Sequence, residues 1–141
     1  MEIRLATEED LLVLAEMYLR LFRHVHRTGG GTLEEKRGYA REKMGAEDHF
    51  IFLAEVDGEA VGTIAVRLLG EGLGFVLDAW VEPGHRRRHV MTELEGGVVE
   101  FLRERGVSTV ELKVRTDNEQ GMNAWPKMGY GPFEFVMRKK I

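Results

Sequence analysis

The chain has 141 residues, of which 43% are hydrophobic, so we expect residues 1–141 to form a single domain whose core needs neither a metal nor a disulfide. A formal net charge of −4 argues against nucleic-acid binding through bulk charge, and the lack of cysteine excludes a disulfide framework, a thiol nucleophile and a thiolate metal site. The start MEIRLATEED has no apolar signal core and no run reaches the roughly 20 apolar residues of a membrane span, which predicts a cytoplasmic protein without a membrane partner.

The first third of the chain predicts one strand and two helices. Residues 2–6 alternate polar and apolar side chains, as a short strand does. Thr7 is a suitable helix cap, and apolar residues at the helical period continue from there to about residue 26. Glycines 29–31 interrupt this helix, and a second one begins at Thr32 and continues to about Gly45.

Residues 50–81 predict an antiparallel meander of three strands. The first two, residues 50–56 and 60–69, flank Asp57 and Gly58, a pair that suits the positive φ angles of a tight hairpin. Gly62 lies inside the second strand, which indicates a bulge or the close approach of another backbone. The third strand is the apolar run 75–81.

A turn and a long helix follow that third strand. Pro83 and Gly84 favour a turn, and Gly106 is placed to end the helix. The buried face of this helix is predicted to carry Val90, Leu94, Val98, Phe101 and Leu102. The turn contains three consecutive arginines, 86–88, next to the free N–H groups of the helix start, which together make an anion site in principle.

The last third predicts a strand over residues 107–114, a helix from Asn118 to about Met128, and a final strand over residues 133–138. A strand, a helix and a second strand imply a right-handed parallel crossover. The predicted fold class is therefore α/β, or α+β, with a mixed and mostly antiparallel central sheet flanked by helices. Its element order is β-α-α-β-β-β-α-β-α-β.

Two motifs give this chain a family resemblance. The segment VEPGHRRRHVMTEL resembles the cofactor-binding motif of the Gcn5-related N-acetyltransferases (GNAT), V-x-P-x-x-[RQ]-x-x-G-x-[GA], and Val81, Pro83 and Arg86 match it. His89 and Met91 stand where the family has its two glycines. The segment NEQGMNAWPKMGY is similar to the family's later motif N-x-x-A-x-x-x-Y-x-K-x-G-F, with Trp125 in the tyrosine position. The element order is also that of the acetyltransferase fold.

The resemblance implies acetyl-CoA as co-substrate and a set of residues that bind it. Pantetheine would pair with the end of the strand over residues 75–81, and the pyrophosphate would bind N–H groups of the turn that follows this strand. Glycine in such a turn usually lets the phosphates come close to the backbone. The cofactor-binding residues implied in this way are Ala79, Trp80, Val81, Arg86, Arg87, Arg88, His89, Val90, Met91, Thr92, Asn118 and Lys127. Bulky His89 and Met91 would crowd the phosphates, whereas the arginines and a protonated His89 could donate hydrogen bonds to them.

Asp78 and Trp125 are the catalytic candidates. Asp78 lies in an apolar strand, where an unpaired carboxylate is costly, so it is either a site residue that handles the amine or the partner of a basic neighbour. Trp125 replaces the tyrosine that often protonates the departing thiolate in the family. Indole N–H donates a hydrogen bond but releases no proton near neutral pH, so water or another group would have to serve as the acid.

The leading hypothesis is an acetyl-CoA-dependent N-acetyltransferase that acts on the amine of a small molecule or a protein. The alternative is a non-catalytic domain of the same fold that binds CoA or a partner without turnover. No metal site is expected, because His24 and His26 point in different directions on a helix, and three arginines are weak evidence for nucleic acid. Gly96 and Gly97 predict close packing of their helix on the sheet or on another subunit, which leaves a homodimer open.

Overall fold

A computed structural model describes residues 1–26, 31–70 and 72–141. The strands of this part of the chain form one sheet in the order β1-β2-β3-β4-β5, and neighbouring strands are antiparallel except for β4 and β5, which are parallel. They are β1 Glu2–Leu5, β2 His49–Val56, β3 Glu59–Leu68, β4 Leu73–Val81 and β5 Thr109–Leu112. The predicted fold class, a mixed and mostly antiparallel sheet flanked by helices, is confirmed.

Helices cover both faces of the sheet. They are α1 Leu11–His26, α2 Leu33–Gly45, α3 Val90–Glu104 and α4 Glu119–Lys127, with short 3-10 turns at Glu8–Asp10 and Pro83–His85. Helices α1 and α2 share one buried cluster with Leu53 of β2, whereas α3 shares the other with Phe52. Because neighbouring residues of a strand point to opposite faces, these clusters lie on the two sides of the sheet. None of the helices in the described ranges is long and apolar enough to cross a membrane.

Several local predictions are confirmed by backbone angles and contacts. Asp57 and Gly58 have φ values of 52° and 79°, as the tight β2–β3 hairpin requires. Gly106, with φ of 72°, follows the end of α3. A Cβ on Gly62 would lie 3.1 Å from the Trp80 carbonyl oxygen and 3.1 Å from Val90 Cγ1, so this glycine allows close packing of α3 on the sheet.

The two glycines of α3 have different surroundings. A Cβ on Gly97 would lie 2.9 Å from Ile3 Cγ2 in β1, whereas a Cβ on Gly96 would meet no atom within 4 Å. The close packing predicted for this pair is therefore confirmed for Gly97, and it is packing on the sheet of the same chain.

The predicted last strand, residues 133–138, is wrong for the single chain. Residues 131–141 are exposed and carry no regular secondary structure. An alternating sequence indicates a strand only if a neighbouring edge pairs with its backbone groups, and this segment pairs with no strand of the described chain. Most of the predicted glycine break between α1 and α2 falls on residues 27–30, outside the described residues.

Candidate active site

A cleft of about 390 Å³ lies at the carboxyl end of β4. It forms where the two parallel strands separate, because β4 pairs with β5 over residues 73–76 and its later residues have no β5 partner among the described residues. The cleft is bounded by α1 on one side and by residues 112–114 and α4 on the other. Eight of the predicted site residues line it: Asp78, Ala79, Trp80, Val81, Arg86, Met91, Asn118 and Trp125.

The other predicted site residues lie around the cleft without lining it. Three of them, Arg87, Arg88 and His89, are exposed in the turn before α3. Val90 is 2% exposed and belongs to the core under α3. Thr92 is exposed in the first turn of α3, and Lys127 is exposed at the end of α4.

Asp78 stands at a bulge in β4. The pairing of β3 with β4 shifts between Thr63, opposite Trp80, and Ala65, opposite Leu77, so β4 has one residue more than β3 in this interval. Asp78 takes a φ of 52° there, a conformation that is uncommon for residues other than glycine but that Asp and Asn tolerate. The bulge turns Asp78 towards Tyr39 on the α1–α2 face of the sheet, next to the cleft.

The partner of Asp78 is a tyrosine and not the basic residue considered from the sequence. The Tyr39 hydroxyl donates a hydrogen bond to Asp78 Oδ2 at 2.5 Å. Burial raises the pKa of Asp78 above its usual value, while the Tyr39 hydroxyl and the charges of Lys43 and Lys36 act in the opposite direction. Burial and the Asp78 charge raise the pKa of Tyr39, so this phenol remains a hydrogen-bond donor. The pair is suited to accept a proton at the carboxylate.

Trp80 and Arg86 are fixed together at the end of β4. The Arg86 guanidinium lies 4.7 Å from the centre of the Trp80 ring, and its Nε donates to the Val81 carbonyl oxygen at 3.0 Å. Glu82 accepts from the Trp80 indole at 3.3 Å and forms an ion pair with Arg20 at 2.6 Å. This network holds the positive charge of Arg86 inside the cleft.

The turn before α3 keeps the backbone that glycine would favour. Arg87 and His89 have φ values of 66° and 61°, both in the left-handed region, and His89 is the N-terminal cap of α3. The side chain of His89 is exposed, whereas that of Met91 is half-buried and lines the cleft. Of the two residues expected to crowd the phosphates, it is therefore Met91 whose side chain faces the cleft.

Helix α4 brings the last two predicted residues to the cleft. The Asn118 side chain caps α4 by accepting from the Gly121 N–H at 3.0 Å. Trp125 packs edge-on against Tyr130, with ring centres 5.6 Å apart. A Cβ on Gly121 would lie 2.8 Å from Val114 Cγ2, so this glycine lets α4 approach the segment that follows β5.

Sequence reasoning did not identify the individual residues through which α1 and α2 contribute to the other side of the cleft. Tyr39, Phe22 and Val25 belong to α1 and α2, whose apolar positions indicate a buried face but not which strand residue each one meets. His24 also lines the cleft, with its ring 5.9 Å from that of Trp80. Within the described ranges no group of three acidic or histidine side chains could hold a metal ion.

Comparisons with known proteins bear on the same features. The family model described as acetyltransferase (GNAT) family matches residues 12–130. An uncharacterized N-acetyltransferase of Methanocaldococcus jannaschii is 25% identical over 140 residues, which are 95% of this chain and 62% of that protein. The chain thus spans less than two thirds of the length of this relative.

Two solved structures illustrate the likeness in fold. A possible acetyltransferase from Clostridium difficile 630 has a TM-score of 0.85 at 14% identity, over 99% of this chain and 96% of that one. A predicted acetyltransferase from Clostridium acetobutylicum, solved with acetyl-CoA, has a TM-score of 0.80 at 16% identity, over 99% and 95% of the two chains. At these identities the likeness shows the fold.

Proposed function

The chain belongs to the acetyltransferase (GNAT) family, and from this we propose that residues 1–141 act as one domain that transfers an acetyl group from acetyl-CoA to the amine of a small molecule or a protein. The observation that carries the proposal is the cleft at the end of β4. It brings together the end of β4, which has no β5 partner among the described residues, a cationic turn and a carboxylate. These are the groups that thioester aminolysis needs.

The cofactor side of the cleft supports acetyl-CoA. Beyond Val76 the edge of β4 that faces β5 is open to an extended ligand, as in strand addition. Arg86 lies in the cleft, and the turn ends in the free N–H groups of α3, which favour a phosphate. The exposed side chain of His89 leaves the turn open at one of the two missing-glycine positions, whereas Met91 at the other position faces the cleft. Acetyl-CoA would supply the activated acetyl group as a thioester.

The acceptor side of the cleft supports an amine. Asp78 carries a raised pKa and receives the Tyr39 hydrogen bond, so its carboxylate can attract an ammonium group and take up its proton. Aromatic side chains of α1 and β4, Phe22 and Trp80, lie near it in the cleft and suit a cationic or apolar acceptor. Trp125 is a hydrogen-bond donor on the opposite wall, and water would protonate the thiolate.

A thiol-release assay tests this function. Acetyl-CoA and a panel of primary amines should give free CoA, and a thiol reagent reads the product without background because the protein has no cysteine. Asp78→Asn keeps the tolerated φ and an acceptor for Tyr39, so we expect a loss of turnover of about 10²- to 10⁴-fold with little change in acetyl-CoA affinity.

The matched control is Asp48→Asn. Asp48 is an ion-paired carboxylate, 3.1 Å from Arg67, that does not line the cleft, and its replacement should leave turnover unchanged. Equal turnover in wild type and Asp78→Asn would remove Asp78 from the mechanism. Saturable binding of acetyl-CoA without thiol release for any amine would instead favour the non-catalytic alternative.

A further inference from the structure

The α1–α2 side of the cleft carries two lysines whose ammonium groups lie over aromatic rings. Lys36 Nζ is 4.3 Å from the centre of the Phe22 ring, and Lys43 Nζ is 5.4 Å from that of Tyr39. Both lysines are half-buried side chains of α2, so their apolar stems pack on the protein while their charged ends reach the surface. Two positive charges are thereby held on this side of the cleft.

The two lysines lie close to the carboxylate that is proposed to receive the amine. The rings of Phe22 and Tyr39 meet edge-on, with centres 5.4 Å apart, and the Tyr39 hydroxyl donates to Asp78 Oδ2 at 2.5 Å. Burial raises the pKa of Asp78, and the charges of Lys43 and Lys36 oppose this rise. An acceptor whose amine reaches Asp78 therefore lies in the electrostatic field of both lysines.

Neither lysine forms an ion pair within the described ranges. The acidic residues next to them in α2, Glu35 and Glu42, are exposed. Ammonium groups form their stronger hydrogen bonds with anionic acceptors. Lys36 and Lys43 are therefore available to an anionic group of a bound molecule.

The cleft is positively charged although the chain as a whole is not. The chain has 24 acidic and 20 basic residues, yet the described residues that line the cleft include Arg86, Lys113 and a single carboxylate, Asp78. The last part of α1, residues 17–26, contains two arginines and no acidic residue. A cleft of one sign concentrates ligands of the opposite sign. Phosphates of acetyl-CoA account for Arg86, whereas the lysines of α2 lie on the acceptor side.

We propose that the acceptor of this chain is an amine that also carries an anionic group, and that Lys36 and Lys43 select it by binding that group while Asp78 receives the amine. The inference rests on the proposed acetyl transfer and names the class of acceptor for the same site. Amines with several positive charges are disfavoured, because each further ammonium group would face a lysine.

Transfer to such an acceptor leaves its anionic group unchanged. The ammonium group gives one proton to Asp78, and the free amine nitrogen attacks the thioester carbonyl carbon of acetyl-CoA. The C–N bond forms as the C–S bond breaks, and the second proton lost by nitrogen passes through water to the CoA thiolate. The products are CoA and an N-acetylated anion, and Asp78 returns its proton to water.

Matched acceptors test the charge of the second group. ω-Amino acids of increasing chain length, their ω-amino amides and diamines of the same length all present a primary amine. At saturating acetyl-CoA, thiol release should give a kcat/KM that is roughly 10- to 100-fold higher for the best amino acid than for its amide. The diamine should be the poorest of the three, and the preference for the acid should decrease as salt is added. An aminoalkyl phosphate that exceeds the amino acid would identify phosphate as the anionic group.

Methionine substitutions locate the selecting charges. Lys36→Met and Lys43→Met keep an unbranched apolar stem against the aromatic ring and remove the ammonium. Each should lower the ratio of kcat/KM for the amino acid to that for the amide by roughly tenfold. A changed pKa of Asp78 affects both acceptors alike and cancels in this ratio. Arg41→Met, at an exposed position of α2, is the control and should leave the ratio unchanged.

The outcomes separate this inference from the proposed function. Equal kcat/KM for the amino acid and its amide, or a preference for the diamine, would overturn the inference while acetyl transfer stands. An unchanged ratio in both Lys36→Met and Lys43→Met would also overturn it. Transfer to none of these amines, in the presence of saturable acetyl-CoA binding, would refute the proposed function and this inference with it.

Discussion

At the residue scale, the raised pKa of Asp78 leads to a prediction about how the free energy of unfolding depends on pH. Burial raises the pKa of this carboxyl in the folded protein. The stability it contributes is therefore complete below the unfolded pKa of about 3.9 and is lost as the pH rises through the folded pKa. Asparagine does not ionise, so the free energy of unfolding of Asp78→Asn, relative to wild type, should increase as the pH rises above about 4. Urea unfolding across this range measures it.

Asp10 is the control, because its pKa is shifted in the opposite direction to that of Asp78. Arg4 donates to both of its carboxylate oxygens, at 2.8 and 2.9 Å, and holds the pKa of Asp10 below its usual value. Stability from Asp10 is present above the unfolded pKa and is lost as the pH falls through the folded pKa. Asp10→Asn should therefore become less stable relative to wild type as the pH rises. Parallel trends in the two variants would contradict the assigned environments.

Tyr39 should set the pH at which the proposed enzyme works. Its hydroxyl opposes the burial of Asp78, so Tyr39→Phe should raise the pKa of Asp78 further. The acidic limb of the turnover profile should then move to higher pH, because the base must be ionised. Tyr130→Phe, which changes a phenol that does not line the cleft, should leave the limb in place. A Tyr39→Phe profile identical to that of wild type would contradict the proposed role.

At the element scale, the turn before α3 stores backbone strain at two positions. Left-handed backbone costs a residue other than glycine roughly 1–2 kcal/mol, whereas glycine adds about 0.5–1 kcal/mol of entropy to the unfolded chain. Arg87→Gly and His89→Gly should therefore be as stable as wild type or slightly more stable. Arg88→Gly relieves no positive φ and should lose about 0.5–1 kcal/mol. Thermal unfolding of the three variants measures these differences in stability. Equal losses of stability in all three would contradict the assignment of strain to Arg87 and His89.

Local signals explain which elements could be predicted. The Asp57-Gly58 hairpin, the Gly106 end of α3 and the Asn118 cap of α4 each depend on the conformation of one or two residues, and all three form as expected. The bulge at Asp78 could not be predicted, because the extra residue of β4 exists only relative to the register of β3. Residues 133–138 alternate as a strand does, but alternation alone does not show that a sheet edge pairs with them, and the structure gives them no regular secondary structure.

At the scale of the whole molecule, eight of the predicted site residues line one cleft because β4, the turn and α4 converge where β4 and β5 separate. The apolar strand and the family motifs were sufficient to select these residues, and their roles in binding and catalysis stay predictions. The residues on the α1–α2 side of the cleft were not identified in this way, because α1 and α2 reach the cleft through packing across the sheet. Tyr39 and Asp78 are 39 residues apart in the chain.

Acetyl-CoA binding tests the central claim most directly. Ligand at 100 times its dissociation constant stabilises the folded state by about 2.7 kcal/mol, which for a chain of this length corresponds to an increase in Tm of several degrees. Calorimetric titration should give one saturable site per chain, and the melting temperature should rise with acetyl-CoA concentration. No heat and no shift at millimolar acetyl-CoA would contradict the proposal that this chain is an acetyl-CoA-dependent transferase.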